Sequence, residues 1–143
     1  MTVVYAESSA ILGWLLGESR QAEVAAALTK AGRVVTSAIT PVECARGVAR
    51  ARQMKRITRA EELAALRLLD DAAASWNVMD LSDDVAARAR SEYPLEPVRT
   101  LDAVHLATAQ VFHAALGSVG MLSLDERVRA NAGALGMSLI LKP

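Results

Sequence analysis

Residues 3–17, VVYAESSAILGWLLG, contain a short apolar run, an acid, and a second apolar run that ends at a glycine. The first four residues are rich in β-formers and predict a strand that ends at Glu7. Ser8 or Ser9 is suited to cap the helix that follows, and Gly17 is suited to stop it. The stretch therefore predicts a strand followed directly by a helix, with an acid at the junction.

The rest of the chain repeats this order of strand and helix. Further strands are predicted at about 33–39, 77–81, 118–124 and 137–141, and further helices at about 19–31, 43–76, 82–92, 100–115 and 125–135. The helical segment 43–76 is divided near Ile57, because Thr58 and Glu61 form a capping-box pattern. Strands that alternate with helices predict an α/β fold with a parallel sheet of about five strands. We expect a single domain over residues 1–143.

Local patterns also assign individual residues to places within these elements. Thr40 is a predicted helix cap with Glu43 as its third-position partner, and Thr100 is predicted to cap a later helix. The buried stripe of the helix that follows Thr58 is predicted from the helical spacing of its apolar residues. Its members are Leu63, Leu66, Leu69 and Ala73.

The composition limits the class of protein. Of the 143 residues, 52% are hydrophobic but only 3% are aromatic, which favours closely packed helices rich in alanine and leucine. The 16 basic and 16 acidic residues balance, so binding to nucleic acid or a membrane would need a local patch. The single cysteine, Cys44, excludes a disulfide framework, fits a reducing, cytoplasmic setting, and is interpreted as an apolar core residue.

No membrane segment or signal peptide is expected. Residues 103–124 carry no Asp, Glu, Lys or Arg and are long enough to span a bilayer. Gly117 and Gly120 divide this segment into a predicted helix and a predicted strand. A buried core segment is therefore the better interpretation, and the N-terminus lacks the basic region of a signal peptide.

Four carboxylates, those of Glu7, Glu43, Asp102 and Asp125, each fall at the start of a predicted helix. In an open parallel sheet such junctions gather at the carboxyl ends of the strands, so acids far apart in sequence can meet there. Like charges repel, and a cluster of carboxylates suits Mg²⁺ or Mn²⁺. The pattern points to metal-assisted chemistry on a phosphate.

A purely structural role for these acids stays open as well. Any one acid at a helix start is also favoured by the helix dipole, by about 0.3–1 kcal/mol. Asp83 and Asp84 follow the third strand and fit the same description, so spacing alone does not choose the set. His105 shares a helix face with Asp102, and we interpret it as a hydrogen-bonded core residue in preference to a donor to a ligand carboxylate.

A basic run follows the second acid. It has two open interpretations, a solvated helix face and a patch that contacts phosphates or an acidic partner segment. Aromatic residues are scarce, which favours recognition of backbone or shape over stacking of bases. The run consists of Arg46, Arg50, Arg52, Lys55, Arg56 and Arg59.

Four motifs, in order and over essentially the whole chain, resemble those of PIN domains. Residues 4–10 (VYAESSA) resemble the opening of the family, in which a strand ends in an acid followed by small and hydroxyl residues. Residues 40–43 (TPVE) resemble the second acidic motif, and residues 122–125 (LSLD) resemble the terminal one. Residues 99–109 (RTLDAVHLATA) closely follow the signature helix of bacterial VapC-type toxins.

The resemblance implies a three-layer α/β/α fold with a groove that holds the acids. It also implies a cytoplasmic, Mg²⁺- or Mn²⁺-dependent endoribonuclease that acts as the toxin of a VapBC-type toxin–antitoxin module. The expected partners are RNA, a VapB-type antitoxin that inserts a segment into the groove, and a second copy in a homodimer or a higher toxin–antitoxin assembly.

Carried over by position, the resemblance assigns Glu7, Glu43, Asp102 and Asp125 to the metal site and to catalysis. Asp102 and Glu7 are the expected primary ligands, while Glu43 and Asp125 would ligate through water or orient the nucleophile. Ser123 and Ser8 are expected to support the site. The expected contacts to RNA or antitoxin are Arg46, Arg50, Lys55 and Arg99.

One position departs from the family pattern. The first acid is ordinarily Asp, and here it is Glu7, whose extra methylene extends the side chain by about 1.5 Å. Because Mg²⁺ demands near-ideal octahedral geometry, backbone compensation, a shift of preference toward Mn²⁺ and weak activity are all open. The alternative function is therefore a catalytically weakened PIN domain that mainly binds antitoxin or RNA.

Overall fold

The apolar runs form five short strands that are joined by helices in a computed structural model that describes residues 2–143. The strands are β1 (Val3–Ala6), β2 (Arg33–Ser37), β3 (Asn77–Met79), β4 (Gly120–Leu122) and β5 (Ser138–Leu139). The helices are α1 (Ser8–Leu15), α2 (Gln21–Lys30), α3 (Ile39–Gln53), α4 (Arg59–Ala73), α5 (Asp83–Ala89), α6 (Thr100–Leu116) and α7 (Glu126–Ala134).

The strands form one sheet in the order β3-β2-β1-β4-β5, and every pair is parallel. The predicted α/β class and the parallel five-stranded sheet are confirmed. β1 is central, with Val4 opposite Val34 of β2 and Tyr5 opposite Met121 of β4. This order explains the continuous apolar run of β1, because a central parallel strand is buried on both faces.

Helices cover both faces of the sheet, in three layers. Tyr5 packs on one side with Leu106 of α6 and Val128 of α7. Val4 and Ala6, its neighbours along β1, face the other side of the sheet, because side chains alternate between the two faces of a strand. Val4 packs there with Val24 of α2, and Ala6 packs with residues of α1, α3 and α4.

The helix starts differ from the predicted ones at three places. Thr40 does not cap α3, because the helix already begins at Ile39 and the buried Thr40 hydroxyl lies 2.7 Å from the Thr36 hydroxyl, within hydrogen-bonding distance. Thr100 does not cap α6 either, since it is the first residue of that helix. Neither serine caps α1, because the carboxylate of Glu7 takes that role.

Other predicted features of the helices are confirmed. Thr58 and Glu61 form the expected capping box at the start of α4, which separates it from α3. Ser82 caps α5 through Val85 N, although that helix ends at Ala89, three residues earlier than expected. Cys44 is fully buried, as expected of an apolar core residue, and burial raises the pKa of its thiol to about 12.

The buried stripe of α4 is rotated from the predicted one. Leu69 is buried and Leu66 and Ala73 are half-buried, but Leu63 is 49% exposed. Glu62 takes the buried position instead, because it forms ion pairs with Arg52 and Arg59. The buried face of α4 therefore combines an ion-paired acid with the apolar Ala65 and Leu69.

Within residues 2–143, no helix has both the length and the apolar character that a bilayer span requires. The uncharged segment 103–124 instead ends its helix at Gly117, whose φ is 84°, and continues into β4. A left-handed residue at this position is a common way to end a helix, and glycine adopts it without strain.

Candidate functional site

A cleft of about 440 Å³ lies at the carboxyl ends of the central strands. All four acids expected at the site line it, as do Ser8 and Arg99. Two further acids do not line this cleft, namely Asp83 and Asp84, because α5 follows the edge strand β3. The order of the strands in the sheet cannot be read from the sequence. It places Asp83 and Asp84 away from the four acids of the cleft.

The topology accounts for each acid in the cleft. Glu7 directly follows the central strand β1, Glu43 lies in the first turns of α3 after β2, and Asp125 follows β4. Asp102 lies in the first turn of α6, whose N-terminus reaches the same edge of the sheet. Residues separated by up to 118 positions therefore share one cleft.

Glu7 is held closely by the protein. Its Oε2 accepts from Ser9 N over 2.8 Å, and its Oε1 accepts from the Ser9 and Ser123 hydroxyls, each over 2.5 Å. The residue is only 3% exposed. The extra methylene is thus taken up by a carboxylate that folds back over the start of α1, and it does not extend the carboxylate into solvent.

Ser123 has the supporting position expected of it, and Ser9 adds a second support. The Ser123 hydroxyl also accepts from Asp125 N over 3.0 Å, and the Ser9 hydroxyl accepts from Leu124 N over 2.9 Å. Sequence reasoning assigned Ser9 only as a candidate helix cap. The signal that could have identified it is a hydroxyl two residues after an acid at a strand end.

Glu43 is fixed by two donors on one oxygen. Its Oε1 lies 2.7 Å from the Ser8 hydroxyl and 2.6 Å from Nε2 of His105. Partial burial alone would raise the pKa of the Glu43 carboxyl, but the hydrogen bonds from His105 and Ser8 outweigh burial and lower it. Glu43 is therefore held as a carboxylate.

His105 combines the two interpretations that the sequence left as alternatives. It is fully buried, as a core histidine would be, and it also contacts the carboxylate of Glu43. The preferred interpretation as a hydrogen-bonded core residue is confirmed, and the contact with Glu43 shows that it does not exclude the other one. The Tyr5 hydroxyl lies 2.8 Å from Nδ1 of the same ring, and the two rings meet edge to face with centroids 5.9 Å apart. Tyr5 had no signal in the sequence beyond its place in an apolar strand.

Asp102 experiences the repulsion expected of an acidic cluster. Burial raises the pKa of its carboxyl, and the charges of Asp125 and Glu7 raise it further. Arg99, with Nε 3.8 Å from Asp102 Oδ2, opposes these effects only in part. Asp125 also caps α7, because its Oδ1 accepts from Val128 N over 2.9 Å.

The residues of the cleft fit a divalent cation in charge and donor type. Carboxylate oxygens are the donors that Mg²⁺ and Mn²⁺ prefer, and a cation would relieve the repulsion that raises the pKa of Asp102. In the described part of the chain, no three acidic, histidine or cysteine side chains are already gathered around one ion position. Side-chain adjustment would therefore accompany metal binding.

The structure divides the basic run into paired and unpaired residues. Arg52 and Arg59 pair with Glu62, and Arg56 lies 3.9 Å from Glu18. Among residues 2–143, no ion pair includes the remaining three members, Arg46, Arg50 and Lys55.

A second groove, of about 650 Å³, adjoins the acidic cleft and shares Glu43 and Leu101 with it. Arg46 and Arg50 of α3 line this groove. Lys55 is exposed beyond the end of α3 and does not line it. Arg99 lines the acidic cleft itself.

Comparisons with known proteins agree with this architecture. A toxin–antitoxin complex from Klebsiella pneumoniae contains a chain that is 22% identical, with a TM-score of 0.63 and full coverage of both chains. A chain of FitAB bound to an IR36 DNA fragment is 17% identical, with a TM-score of 0.64 and coverage of 95% of this chain and 92% of the other. At these identities the likeness concerns the fold. No curated protein matches the sequence. The PIN domain model matches residues 4–134, and the chain belongs to the PIN domain family.

Proposed function

We propose that this protein is a divalent-metal-dependent endoribonuclease and the toxin of a VapBC-type toxin–antitoxin module. The observation that carries the proposal is the convergence of Glu7, Glu43, Asp102 and Asp125 on one cleft. Metal-dependent nuclease chemistry uses such a set, because carboxylates hold the cation that positions a water and neutralises charge on the anionic phosphate.

The acids have different proposed roles. Glu7 and Asp102 would be the primary ligands of Mg²⁺ or Mn²⁺, while Glu43 and Asp125 would ligate through water or orient the attacking water. When bound, the ion supplies a water of lowered pKa and neutralises charge on the phosphate. Ser9 and Ser123 hold the Glu7 carboxylate in place, and Ser8 does the same for Glu43.

The groove beside the cleft supports a nucleic-acid substrate. Arg46 and Arg50 line it without an acidic partner in the described chain, so both are available to backbone phosphates. Arg99 would contact a phosphate next to the one that reacts, because it lies beside Asp102. Lys55 remains a weaker candidate for contact with RNA or antitoxin, since it lies outside the groove.

The partners are proposed from the relatives. One similar chain belongs to a toxin–antitoxin complex, and another belongs to FitAB bound to DNA. We expect a VapB-type antitoxin to cover the cleft, a homodimer or a higher toxin–antitoxin assembly, and a cytoplasmic location. The single domain over residues 1–143 also stays a prediction.

Cleavage of a structured RNA by the antitoxin-free protein tests the proposal, with Mg²⁺, Mn²⁺ or EDTA. Asp102→Asn should abolish metal-dependent cleavage. Asp83→Asn is the matched control, because Asp83 also lies at a helix start but outside the cleft, and it should cleave like the wild type. Cleavage that persists in Asp102→Asn, or in EDTA, would contradict the assignment.

A second candidate function is a weakened PIN domain that mainly binds RNA or antitoxin. The observation that favours it is the burial of Glu7, whose carboxylate has three hydrogen-bond donors. On this hypothesis the wild type binds RNA but cleaves it poorly, and Glu7→Asp increases cleavage, most strongly with Mg²⁺. If the wild type and Glu7→Asp cleave RNA equally well, both with Mg²⁺ and with Mn²⁺, this candidate is ruled out.

A further inference from the structure

A chain of buried polar groups leads from the core of the protein to the cleft. It begins at the Tyr5 hydroxyl, passes through both ring nitrogens of His105, and ends at Glu43 Oε1. Tyr5 and His105 are both fully buried, while the Glu43 side chain is 28% exposed. The cleft acid is therefore connected to two groups that have no contact with solvent.

The direction of each hydrogen bond follows from the donors available. An ionised carboxylate can only accept, so the single hydroxyl hydrogen of Ser8 goes to Glu43 Oε1 and is not available to His105 Nε2, which lies 3.0 Å from the same hydroxyl. The 2.6 Å contact of His105 Nε2 with Glu43 Oε1 then requires a hydrogen on Nε2. In a neutral ring Nδ1 is then left to accept from the Tyr5 hydroxyl, which lies 2.8 Å away and carries its proton at neutral pH, as a phenol does.

We propose that His105 is a positioning residue for Glu43, with its Nε2–H tautomer fixed by Tyr5. The imidazole and the Ser8 hydroxyl together hold Oε1, and Oε2 stays available to the cleft. Within residues 2–143, Oε2 of Glu43 has no hydrogen-bond donor. The assignment of Glu43 to a metal site rests on the proposed function, whereas the hydrogen-bond directions do not.

The physical need for such a residue comes from the length of the glutamate side chain. A half-exposed glutamate has several rotamers, and ordering it for each binding event would cost conformational entropy. A fixed donor on one oxygen removes most of that freedom in advance. Loss of comparable partners behind metal ligands typically weakens metal binding or activity by about 10–100-fold.

The tautomer is measured directly by nitrogen-15 NMR of the imidazole rings in the full-length wild type. The chain has two histidines, and His113 is an internal control because its Nδ1 accepts from Val119 N. We expect His105 to carry its hydrogen on Nε2, and we expect Tyr5→Phe to shift the Nδ1 resonance of His105 but not that of His113. A hydrogen on Nδ1, with or without one on Nε2, would overturn the proposal.

Two substitutions separate positioning from a general structural role. His105→Gln places an amide N–H near the position of Nε2, whereas His105→Leu removes the donor. We expect Mn²⁺ affinity of the folded protein, measured by titration, to fall by about 10–100-fold in His105→Leu and to recover largely in His105→Gln. Unchanged Mn²⁺ affinity in folded His105→Leu would overturn the proposal.

The outcome also distinguishes this proposal from the nuclease assignment. If the wild type neither binds Mn²⁺ nor cleaves RNA, the proposed function fails, and the carboxyl carbon-13 resonance of Glu43 becomes the readout. It should shift in His105→Leu and stay near the wild-type position in His105→Gln. If His105→Leu does not fold, Tyr5→Phe replaces it, and we expect a smaller loss of order at Glu43. An unchanged carboxyl resonance of Glu43 in Tyr5→Phe would contradict the positioning role of His105.

Discussion

The Ser123 hydroxyl donates to Glu7 Oε1 over 2.5 Å and so joins the ends of two neighbouring strands. Glu7 directly follows β1 and Ser123 directly follows β4, which are paired along their length. The same hydroxyl accepts from the backbone N–H of Asp125. One buried side chain thus connects two of the four cleft acids.

Ser123→Ala should therefore lower stability as well as disturb the cleft. It removes one donor to Glu7 and leaves the Asp125 N–H without its acceptor, so we expect a loss of about 1–3 kcal/mol in the free energy of unfolding. Urea denaturation measures it. Ser19→Ala is the control, because Ser19 is exposed in the turn between α1 and α2 and should change stability by less than about 0.5 kcal/mol. Equal effects in both variants would contradict this role of Ser123.

Asp102 should make stability depend on pH in a direction opposite to most acids. Its pKa is raised in the folded state, so between its ordinary value of 3.8 and the raised value the folded protein binds more protons than the unfolded chain. Stability then falls as pH rises through this window. Above the window, ionised Asp102 destabilises the fold.

Asp102→Asn should accordingly be more stable than the wild type at pH 7 and show no such gain at pH 3, where the carboxyl is protonated in both states. Urea midpoints at the two pH values measure this difference. Asp83→Asn, on the exposed first turn of α5, should bring no gain at either pH. Added Mg²⁺ should stabilise the wild type more than Asp102→Asn, and a larger effect on the variant would speak against metal binding at Asp102.

The elements that could be predicted from the sequence are those decided by local pattern. The strand–acid junctions at Glu7 and Asp125 and the capping box at Thr58 depend on neighbouring residues only. Local rules failed at Thr40, where the buried hydroxyl of Thr36 lies within hydrogen-bonding distance. The contact with Thr36 of β2 occupies the Thr40 hydroxyl that the capping pattern assigns to the helix start.

The contacts within the site could not be predicted, because they depend on strand order. Tyr5 meets His105 across 100 positions, and Glu7 meets Ser123 across 116. The first contact requires α6 to pack on the face of β1, and the second requires β1 to lie beside β4. The sequence predicts whether each residue lies within a strand or helix or at its end. It does not predict which strands and helices are neighbours in the fold.

The unpaired arginines of α3 give a prediction on RNA binding. Arg46→Gln combined with Arg50→Gln should weaken binding and reduce the slope of log affinity against log salt by about 0.7 for each phosphate that the variant no longer neutralises. Fluorescence anisotropy with a labelled single-stranded RNA measures both. Arg33→Gln is the control, because Arg33 is exposed at the start of β2, at the opposite edge of the sheet. If all three arginines contributed equally, binding would not be localised to the groove.

The close approach of α1 and α3 gives the last prediction. A Cβ atom on Gly47 of α3 would lie 2.5 Å from one Leu12 methyl carbon and 2.8 Å from the other. Glu43 lies one turn before Gly47, and its bond to Ser8 of α1 is 2.7 Å long. The absence of a side chain at Gly47 therefore sets the distance between two residues of the cleft.

Gly47→Ala should destabilise the protein by about 1–3 kcal/mol through overpacking, although alanine favours a helix by up to about 1 kcal/mol over glycine. Gly133→Ala is the matched control, since nothing lies within 4 Å of a Cβ at Gly133 of α7, and it should be neutral or stabilising. Combining Gly47→Ala with Leu12→Ala should cost less than the sum of the two single changes, because the smaller side chain removes the clash. Strict additivity in urea denaturation would show that the two helices do not meet at these residues.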